Sequence, residues 1–353
     1  MSSKSVNRRL EPADASGPDG RARLRSVPAG REATALDMYR NMQLVRAVEL
    51  GIELMHKRGR MSGSFHSSMG QEACAVGVCA ALEREDMVTS THRGHGHAVA
   101  KGVPIEGIFA ELFGRSTGVS GGRGGSMHLH HRESGFLGEN AIVGGGLPWA
   151  AGAAWARKRL GKPGAAVAFT GDGGAAEGVF HEVLLLSRFW GSPCLIVCEN
   201  NGLAHSMPSE RLWGEPGSIA RMVEATGVES IAVDGRDVLA VHDAAEQLLT
   251  HVREGRPAFM ECIVFRVRPH SIADPDYRYR PRDAGDEWMK TNDPIENLRR
   301  ALESTSSAEL DRIDAAVTEQ VEAALAAAEA AEQTPVADAM AHRYSTPELD
   351  ERA

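Results

Sequence analysis

The 353-residue sequence lacks several features that mark other protein classes. It has only five cysteines and no C-x-x-C pair, and an odd number of cysteines inside apolar stretches indicates reduced, buried thiols in a cytoplasmic protein. No apolar run approaches the roughly 18 residues that a membrane-spanning helix needs. Acidic residues outnumber basic residues by 48 to 39, and the resulting net charge of −9 argues against a general nucleic-acid binder.

The composition is that of a soluble globular enzyme, with 42% apolar and 25% charged residues. The length suits one large α/β domain or two. Residues 1–33 are rich in Arg, Ser, Pro and Gly without periodicity and predict a mobile tail. Its acidic residues count against a mitochondrial transit peptide, and it has no apolar core of a secretory signal. We therefore expect a cytoplasmic protein.

The most informative stretch spans residues 165–206. An apolar run at 165–170 predicts a buried strand, and a Gly-Asp-Gly-Gly turn follows it directly. The helical period then runs from 177 to 189, and a second apolar run at 194–198 leads to Glu-Asn-Asn-Gly. Ligands of such parallel strand-helix-strand units bind beyond the carboxyl ends of the strands, where Asp172 and Asn201 are expected.

The glycine-rich turn allows two interpretations. Residues 171–176 satisfy the loose dinucleotide pattern G-x-G-x-x-A, with Glu199 as the acid after the next strand. Asp172, however, would repel a pyrophosphate unless a cation lay between them. Mg²⁺ fits that position, because carboxylate, amide and phosphate oxygens are its usual ligands. Asp172 together with Asn201 therefore predicts a magnesium-bridged diphosphate site.

Alternating helices and strands predict an α/β fold with a doubly wound parallel sheet and added helices at both ends. Further helices are predicted over 36–57, 71–82, 148–160, 217–226, 237–253 and 307–332, and further strands over 229–233 and 257–266. Residues 89–97, dense in histidine and glycine, are predicted to be extended. Residues 114–127 and 266–282 are predicted loops.

Several separated motifs resemble those of the α subunit of the decarboxylating component of 2-oxo acid dehydrogenase complexes. The Gly-Asp-Gly turn, followed one helix and one strand later by Asn-Asn, is similar to the thiamine diphosphate motif. The likeness covers residues 36–300 and includes Gly70-Gln71-Glu72-Ala73, Thr91-His92-Arg93-Gly94-His95-Gly96, Gly124-Gly125-Ser126-Met127-His128, Ile142-Val143-Gly144, His270-Ser271, Asp274-Pro275 and Tyr279-Arg280. Motifs in the family's order are stronger support than any one of them.

The resemblance implies thiamine diphosphate and Mg²⁺ as cofactors in a sheet of the thiamine diphosphate-binding type. The implied cofactor-binding positions are His92, Arg93, Ala141, Val143, Asp172, Gly173, Gly174, Asn201, Leu203 and His270. Asp172, Asn201 and the Leu203 carbonyl are the implied metal ligands. His66 and His270 are the implied catalytic residues, for proton transfer and for stabilising a developing oxyanion.

This sequence departs from the family pattern at three positions. His92 stands where pyruvate enzymes usually have Tyr, which resembles the acetoin dehydrogenase branch. Ala141 stands where many relatives have Gly, and Pro269 replaces the usual Gly before His270, which stiffens that loop.

The resemblance also implies partners. A carboxylate must activate the aminopyrimidine of the cofactor, and in this family a β subunit supplies it, so an α2β2 assembly is expected. A lipoyl-bearing acyltransferase is the implied acceptor of a two-carbon acyl unit from pyruvate or acetoin. No nucleic acid or membrane partner is expected.

The sequence leaves three alternatives open: a nicotinamide-dependent dehydrogenase, two-carbon ketol transfer of the transketolase type, and a non-catalytic scaffold. The expected organisation is a tail at 1–33, a thiamine diphosphate-binding domain at 34–300 and a C-terminal helical extension at 301–353.

Overall fold

The structure is a computed structural model that describes residues 26–61 and 63–338. Most of the predicted tail, residues 1–25, and the end of the predicted C-terminal extension, residues 339–353, lie outside the described residues. None of the described helices has the length and apolar character needed to cross a bilayer.

The helices and strands alternate along most of the described chain. The helices are α1 (Glu32–Lys57), α2 (Glu72–Ala80), α3 (His95–Ala100), α4 (Ile105–Leu112), α5 (Gly146–Arg159), α6 (Gly178–Trp190), α7 (Glu210–Trp213), α8 (Ser218–Ala225), α9 (Val238–Arg253), α10 (Ala284–Asn292) and α11 (Pro294–Ala330). The strands are β1 (Met87–Thr89), β2 (Phe136–Gly138), β3 (Ala166–Gly171), β4 (Cys194–Asn200), β5 (Leu203–Ala204), β6 (Met207–Pro208), β7 (Glu229–Asp234) and β8 (Ala258–Ile263).

Six strands form one parallel sheet in the order β2-β1-β3-β4-β8-β7, and β5 and β6 form a separate antiparallel pair. The predicted strand-helix-strand unit is β3-α6-β4. Its register pairs Ala166 with Cys194 and Gly171 with Glu199. The carboxyl ends of β3 and β4 therefore lie side by side, and the residues that follow them meet at one edge of the sheet.

Helices cover both faces of the sheet, which confirms the predicted doubly wound α/β fold. One apolar cluster joins the sheet to α1, α2, α9 and α11, and a second joins it to α5, α6 and α8. All seven residues of β4 are buried, as the continuous apolar run of a strand covered on both faces requires. Cys194 and Cys198 lie in the second cluster, where burial raises the pKa of the Cys194 thiol to about 12.

The prediction that residues 89–97 are extended was wrong. The strand β1 ends at Thr89, and α3 begins at His95. Tertiary contacts stabilise this short helix despite its glycine, because both of its histidines are buried and hydrogen-bonded. His95 contacts Glu49, whereas His97 contacts Ser90, so the two rings do not converge on one metal ion.

The predicted helix over 307–332 is the second part of α11, which follows a kink, and the first part of α11, from Pro294, was not predicted. Asp293 caps its start by accepting a hydrogen bond from the Ile295 amide at 3.0 Å, and Pro294 occupies the first helical position. Non-helical backbone angles at Ser306 place a kink inside the helix. The predicted stripe, with Leu310 and Val317, packs into the first apolar cluster.

Candidate functional site

A cavity of about 450 Å³ lies beyond the carboxyl ends of β3 and β4. Every residue that the sequence predicted as a catalytic, cofactor-binding or metal-binding position lines it: His66, His92, Arg93, Ala141, Val143, Asp172, Gly173, Gly174, Asn201, Leu203 and His270. Residues that are distant in sequence thus meet in one site, although their individual functions stay predictions.

Asp172 follows the end of β3 and is only 2% exposed. Its Oδ1 accepts a hydrogen bond from the Gly173 amide at 2.9 Å, and Trp213 Nε1 donates to its carbonyl at 3.0 Å. Its Oδ2 is buried and makes no hydrogen bond of ordinary geometry among the described residues, although the Ser209 hydroxyl lies close enough to interact with this carboxyl. Burial raises the pKa of the carboxyl, and the Ser209 hydroxyl opposes that rise. A buried carboxylate oxygen without a full hydrogen bond is a position that a bound cation would satisfy.

Two further oxygens line the same part of the cavity. Asn201 Oδ1 accepts a hydrogen bond from the Leu203 amide at 3.2 Å, which leaves it a second lone pair. The Leu203 carbonyl has Arg266 Nη1 at 3.5 Å, the limit of a hydrogen bond. A carboxylate, an amide oxygen and a carbonyl form a donor set that fits Mg²⁺.

The turn between β3 and α6 has no space for side chains. A Cβ on Gly174 would lie 2.3 Å from Thr170 Oγ1, and one on Gly173 would lie 3.1 Å from Ala204 Cβ. A short 3₁₀ turn over Gly174–Ala176 then leads into α6. The backbone here can approach a ligand closely, as phosphate binding at the start of a helix requires.

Arg93 is buried and connects two loops of the cavity. Its guanidinium donates to the Ser67 carbonyl and, at 3.1 Å, to the His270 carbonyl. Burial lowers the pKa of Arg93 to about 10, so the side chain remains charged at neutral pH. It therefore brings a fixed positive charge to the site and holds the loop of His66 against the loop of His270.

Three imidazoles lie beside this guanidinium. The ring centroid of His66 lies 4.5 Å from that of His92 and 5.0 Å from that of His270. Burial, together with the positive charge of Arg93, lowers the pKa of His66 to about 4, of His92 to about 2 and of His270 to about 3. All three rings are therefore neutral near pH 7, so each can accept a hydrogen bond from a ligand with one ring nitrogen and donate one with the other.

Sequence reasoning missed Arg266 as a site residue. Its side chain is almost fully buried, lines the cavity and donates to the Tyr279 hydroxyl at 2.9 Å. That hydroxyl donates to Asp274, which also accepts the His270 amide at 3.0 Å. This chain of contacts positions the backbone of His270. The resemblance contained Asp274 and Tyr279, but nothing in the sequence showed that Arg266 joins them.

Sequence reasoning also missed the pairing of Glu199 with His97. Glu199 lines the cavity, and its Oε1 lies 3.3 Å from His97 Nε2. The other nitrogen of His97 lies 2.8 Å from the Ser90 hydroxyl, and its ring stacks on Phe169. Glu199, the acid that would bind the ribose in the dinucleotide interpretation, is therefore already paired with His97.

The glycine-rich loop over residues 114–127 is arranged around one buried carboxylate, Glu111 of α4. Its two oxygens accept hydrogen bonds from the amides of Ser120, Gly122, Gly124 and Gly125, at 2.6–3.1 Å. The loop then places Met127 in the wall of the cavity. The sequence predicted this loop but not the residue that holds it.

The segment with Ala141, Ile142 and Val143 forms the mouth of the cavity. Asn140 Oδ1 accepts a hydrogen bond from the Ile142 amide at 2.9 Å and so fixes the turn. Ile142 is 73% exposed and Val143 is 45% exposed, although both line the cavity. The mouth is thus apolar and open to solvent in the isolated chain.

Residues 40–337 match the family model described as the dehydrogenase E1 component. The α subunit of acetoin:2,6-dichlorophenolindophenol oxidoreductase from Bacillus subtilis (strain 168) is 39% identical over 300 residues, which cover 84% of this chain and 90% of the relative. The pyruvate dehydrogenase E1 component subunit alpha from Porphyra purpurea is 40% identical over 293 residues, 80% of this chain and 84% of the relative. The α subunit of the acetoin oxidoreductase from Cupriavidus necator is 36% identical over 324 residues, which cover 90% of this chain and 96% of the relative.

Proposed function

The chain belongs to the dehydrogenase E1 component family, and from this premise we propose that it is the α subunit of a thiamine diphosphate-dependent enzyme that cleaves pyruvate or acetoin. The two-carbon acyl unit passes to a lipoyl group of a partner acyltransferase. The observation that carries the proposal is the buried Asp172 carboxylate, whose Oδ2 makes no hydrogen bond of ordinary geometry and which lines one cavity with Asn201 and the glycine turn.

The cavity offers a place for each part of the cofactor. Asp172, Asn201 and the Leu203 carbonyl are the proposed ligands of Mg²⁺. The backbone of Gly173 and Gly174, the Arg93 guanidinium and His92 are the proposed contacts of the diphosphate. The backbone of the Ala141 to Val143 segment is the proposed contact of the aminopyrimidine ring.

Thiamine diphosphate, when bound, supplies the electron sink for the carbon–carbon bond that breaks. The chain supplies neutral imidazoles and a fixed cation around the substrate. His66 and His270, both neutral near pH 7, are the proposed groups that hydrogen-bond the substrate oxygen and hold or move a proton there. Arg93 holds the loop of His66 against the loop of His270 during the reaction.

Among the described residues, the cavity has no buried carboxylate beyond the proposed metal ligand and one that is already paired. Its acidic side chains, within the described part of the chain, are Asp172, Glu177 and Glu199. Asp172 is the proposed metal ligand, Glu199 pairs with His97, and Glu177 is exposed at the start of α6. This supports the expectation that a β subunit contributes the missing acid in an α2β2 assembly.

Two donors fit the site, and the family includes relatives named for each of them. His92 stands where pyruvate enzymes usually have Tyr and resembles the acetoin dehydrogenase branch, and on that ground acetoin is favoured. The nicotinamide alternative is disfavoured, because Glu199 is engaged by His97 and Asp172 would face the pyrophosphate.

Calorimetry of thiamine diphosphate binding tests the proposal on the chain combined with its β subunit. Binding should require Mg²⁺, and Asp172→Asn should weaken it at least about tenfold, because the amide keeps the shape of the ligand but loses its charge. Glu319→Gln on the exposed side of α11 is a matched control that should bind like the wild type. Equal affinity with and without Mg²⁺, or in Asp172→Asn, would overturn the proposed cofactor site.

A further inference from the structure

Three of the cavity histidines converge on one small volume. His66 lies in the loop between α1 and α2, His92 in the loop after β1, and His270 in the loop after β8. Each offers a ring nitrogen, and the three nitrogens lie within 4.8 Å of one another. The ring centroids of His92 and His270 are 5.3 Å apart. We call these three residues the histidine cluster.

The buried ring of His66 lacks the partners that other buried histidines have. Its Nδ1 is buried and makes no hydrogen bond with any described residue. By contrast, His95 and His97 each lie within hydrogen-bond distance of a serine hydroxyl, at 2.9 Å and 2.8 Å. A buried nitrogen without a partner is rare in folded proteins and marks a position that a ligand completes.

The histidine cluster has the composition of a zinc-type site. Three imidazoles with an open fourth position are a ligand set that tetrahedral zinc uses in enzymes. Metal–nitrogen bonds of about 2.0–2.1 Å place such nitrogens about 3.4 Å apart, a spacing that small rotations of the rings would reach. Burial lowers the pKa of all three imidazoles, so protons do not compete for the ring nitrogens near pH 7.

Arg93 holds the loops of the histidine cluster without using the ring nitrogens. Its guanidinium donates to the carbonyls of Ser67 and His270, and its amide donates to the Thr91 hydroxyl at 3.1 Å, next to His92. The three rings are thus carried by segments that are tied together before any ion arrives. A site that is already arranged in this way loses less conformational entropy when it binds.

The positive charges of Arg93 and Arg266 decide which ion fits. Burial is the main cause of the lowered pKa values in the histidine cluster, and both guanidinium groups add to it, so they also oppose a cation held by charge alone. Mg²⁺ depends on oxygen ligands, which the cavity offers at Asp172. Zn²⁺, Co²⁺ and Ni²⁺ form coordinate bonds with imidazole, and the guanidinium groups favour an anion such as hydroxide at the open position.

We propose that the histidine cluster is a binding site for a divalent transition metal ion of the zinc class, distinct from the proposed magnesium ligands, and that an ion bound there excludes thiamine diphosphate. The metal site follows from the three imidazoles alone. The exclusion of the cofactor rests on the proposed function, because His92 is a proposed contact of the diphosphate. An ion of this class therefore inhibits the chain by preventing cofactor binding.

The test titrates Co²⁺ into the full chain, produced without a polyhistidine tag, in excess Mg²⁺ that occupies the oxygen ligands. Tetrahedral Co²⁺ absorbs visible light far more strongly than octahedral Co²⁺, so the spectrum reports the kind of site. We expect a tetrahedral spectrum that Zn²⁺ abolishes by displacing the cobalt. His92→Tyr, which keeps an aromatic ring but removes its nitrogens, should weaken Co²⁺ binding at least about tenfold, and so should His66→Phe.

Two controls separate the histidine cluster from other histidines. His130→Tyr, at an exposed position outside the cavity, should bind Co²⁺ like the wild type. His242→Asn should also bind like the wild type. It is included because His242, Asp243 and Glu246 form another group of possible ligands, although Arg31 already contacts the first two.

Circular dichroism shows which variants retain the fold. The absence of a tetrahedral spectrum in the wild type, unchanged Co²⁺ affinity of folded His92→Tyr and His66→Phe, or a loss of binding in His242→Asn alone would overturn the metal site. Thiamine diphosphate with Mg²⁺ should displace the Co²⁺, since both ligands use His92. Co²⁺ binding that the cofactor leaves unchanged would support the metal site and contradict the proposed diphosphate contacts instead.

Discussion

The chemistry of the cavity depends on three imidazoles held beside a buried guanidinium. Burial and the charge of Arg93 both disfavour the protonated form of His66, His92 and His270. A neutral imidazole can both accept and donate a hydrogen bond, whereas an imidazolium can only donate. At the scale of single residues, the site therefore keeps these imidazoles neutral near pH 7 in a positively charged environment.

Replacing His270 by Ala should lower turnover of the reconstituted enzyme by about 10²-fold or more, the usual scale for a positioned acid–base group. The affinity for thiamine diphosphate should change little, because only the imidazole is removed and the backbone contacts with Arg93 and Asp274 remain. Steady-state kinetics and calorimetry measure the two quantities. Unchanged turnover would show that the ring only packs in its loop.

Replacing His92 by Gln should make the chain less sensitive to acid. The pKa of His92 is about 2 in the folded chain and about 6.5 when the chain is unfolded. As the pH falls below 6.5, the unfolded chain takes up a proton that the folded chain does not, so stability is lost on acidification. The free energy of unfolding of His92→Gln should fall less between about pH 7 and about pH 5 than that of the wild type. Urea denaturation at both pH values measures this, and equal losses would contradict the lowered pKa.

The sequence indicated the site residues that belong to linear motifs, because a turn such as Gly-Asp-Gly fixes its own local geometry. It did not indicate Arg266 or the pairing of His97 with Glu199. Those contacts join segments far apart in the chain, and a single sequence contains no information on which distant side chains meet. Arg266 in particular follows an apolar strand and is indistinguishable in sequence from an exposed basic residue.

At the scale of elements, long periodic segments were predictable and short ones were not. The β3-α6-β4 unit lies where the apolar pattern predicted it. The sequence of the six-residue helix α3 shows no helical period. Its two histidines are held by contacts with Glu49, Ser90 and Ser126, which the sequence pattern does not reveal. The sequence pattern indicated the part of α11 after the kink at Ser306 but not its first turns, which give no clear stripe.

Replacing Glu111 by Gln should destabilise the glycine-rich loop. The carboxylate accepts four amide hydrogen bonds, and one amide oxygen cannot replace both of its oxygens. The expected loss is about 3 kcal/mol in the free energy of unfolding, with faster proteolytic cleavage within residues 114–125. The control Glu106→Gln, an exposed position on the same helix, should behave like the wild type. Unchanged protease sensitivity of Glu111→Gln would show that the loop does not depend on this carboxylate.

At the scale of the whole molecule, the fold brings the proposed metal-binding oxygens, the proposed phosphate-binding turn, neutral histidines and a buried cation to one cavity. Among the described residues, the cavity acid that is neither paired nor a proposed metal ligand is the exposed Glu177. The apolar, exposed mouth formed by Ile142 and Val143 and the membership in the dehydrogenase E1 component family both support a protein that works in an assembly.

The most direct test of the account is reduction of an artificial electron acceptor, 2,6-dichlorophenolindophenol, by the chain mixed with its β subunit, with pyruvate, acetoin or a ketose phosphate as donor. We expect reduction with pyruvate or acetoin only when both subunits, thiamine diphosphate and Mg²⁺ are present, and we expect Asp172→Asn to abolish it. Full activity of the isolated chain, activity without thiamine diphosphate, or turnover of the ketose alone would contradict the account.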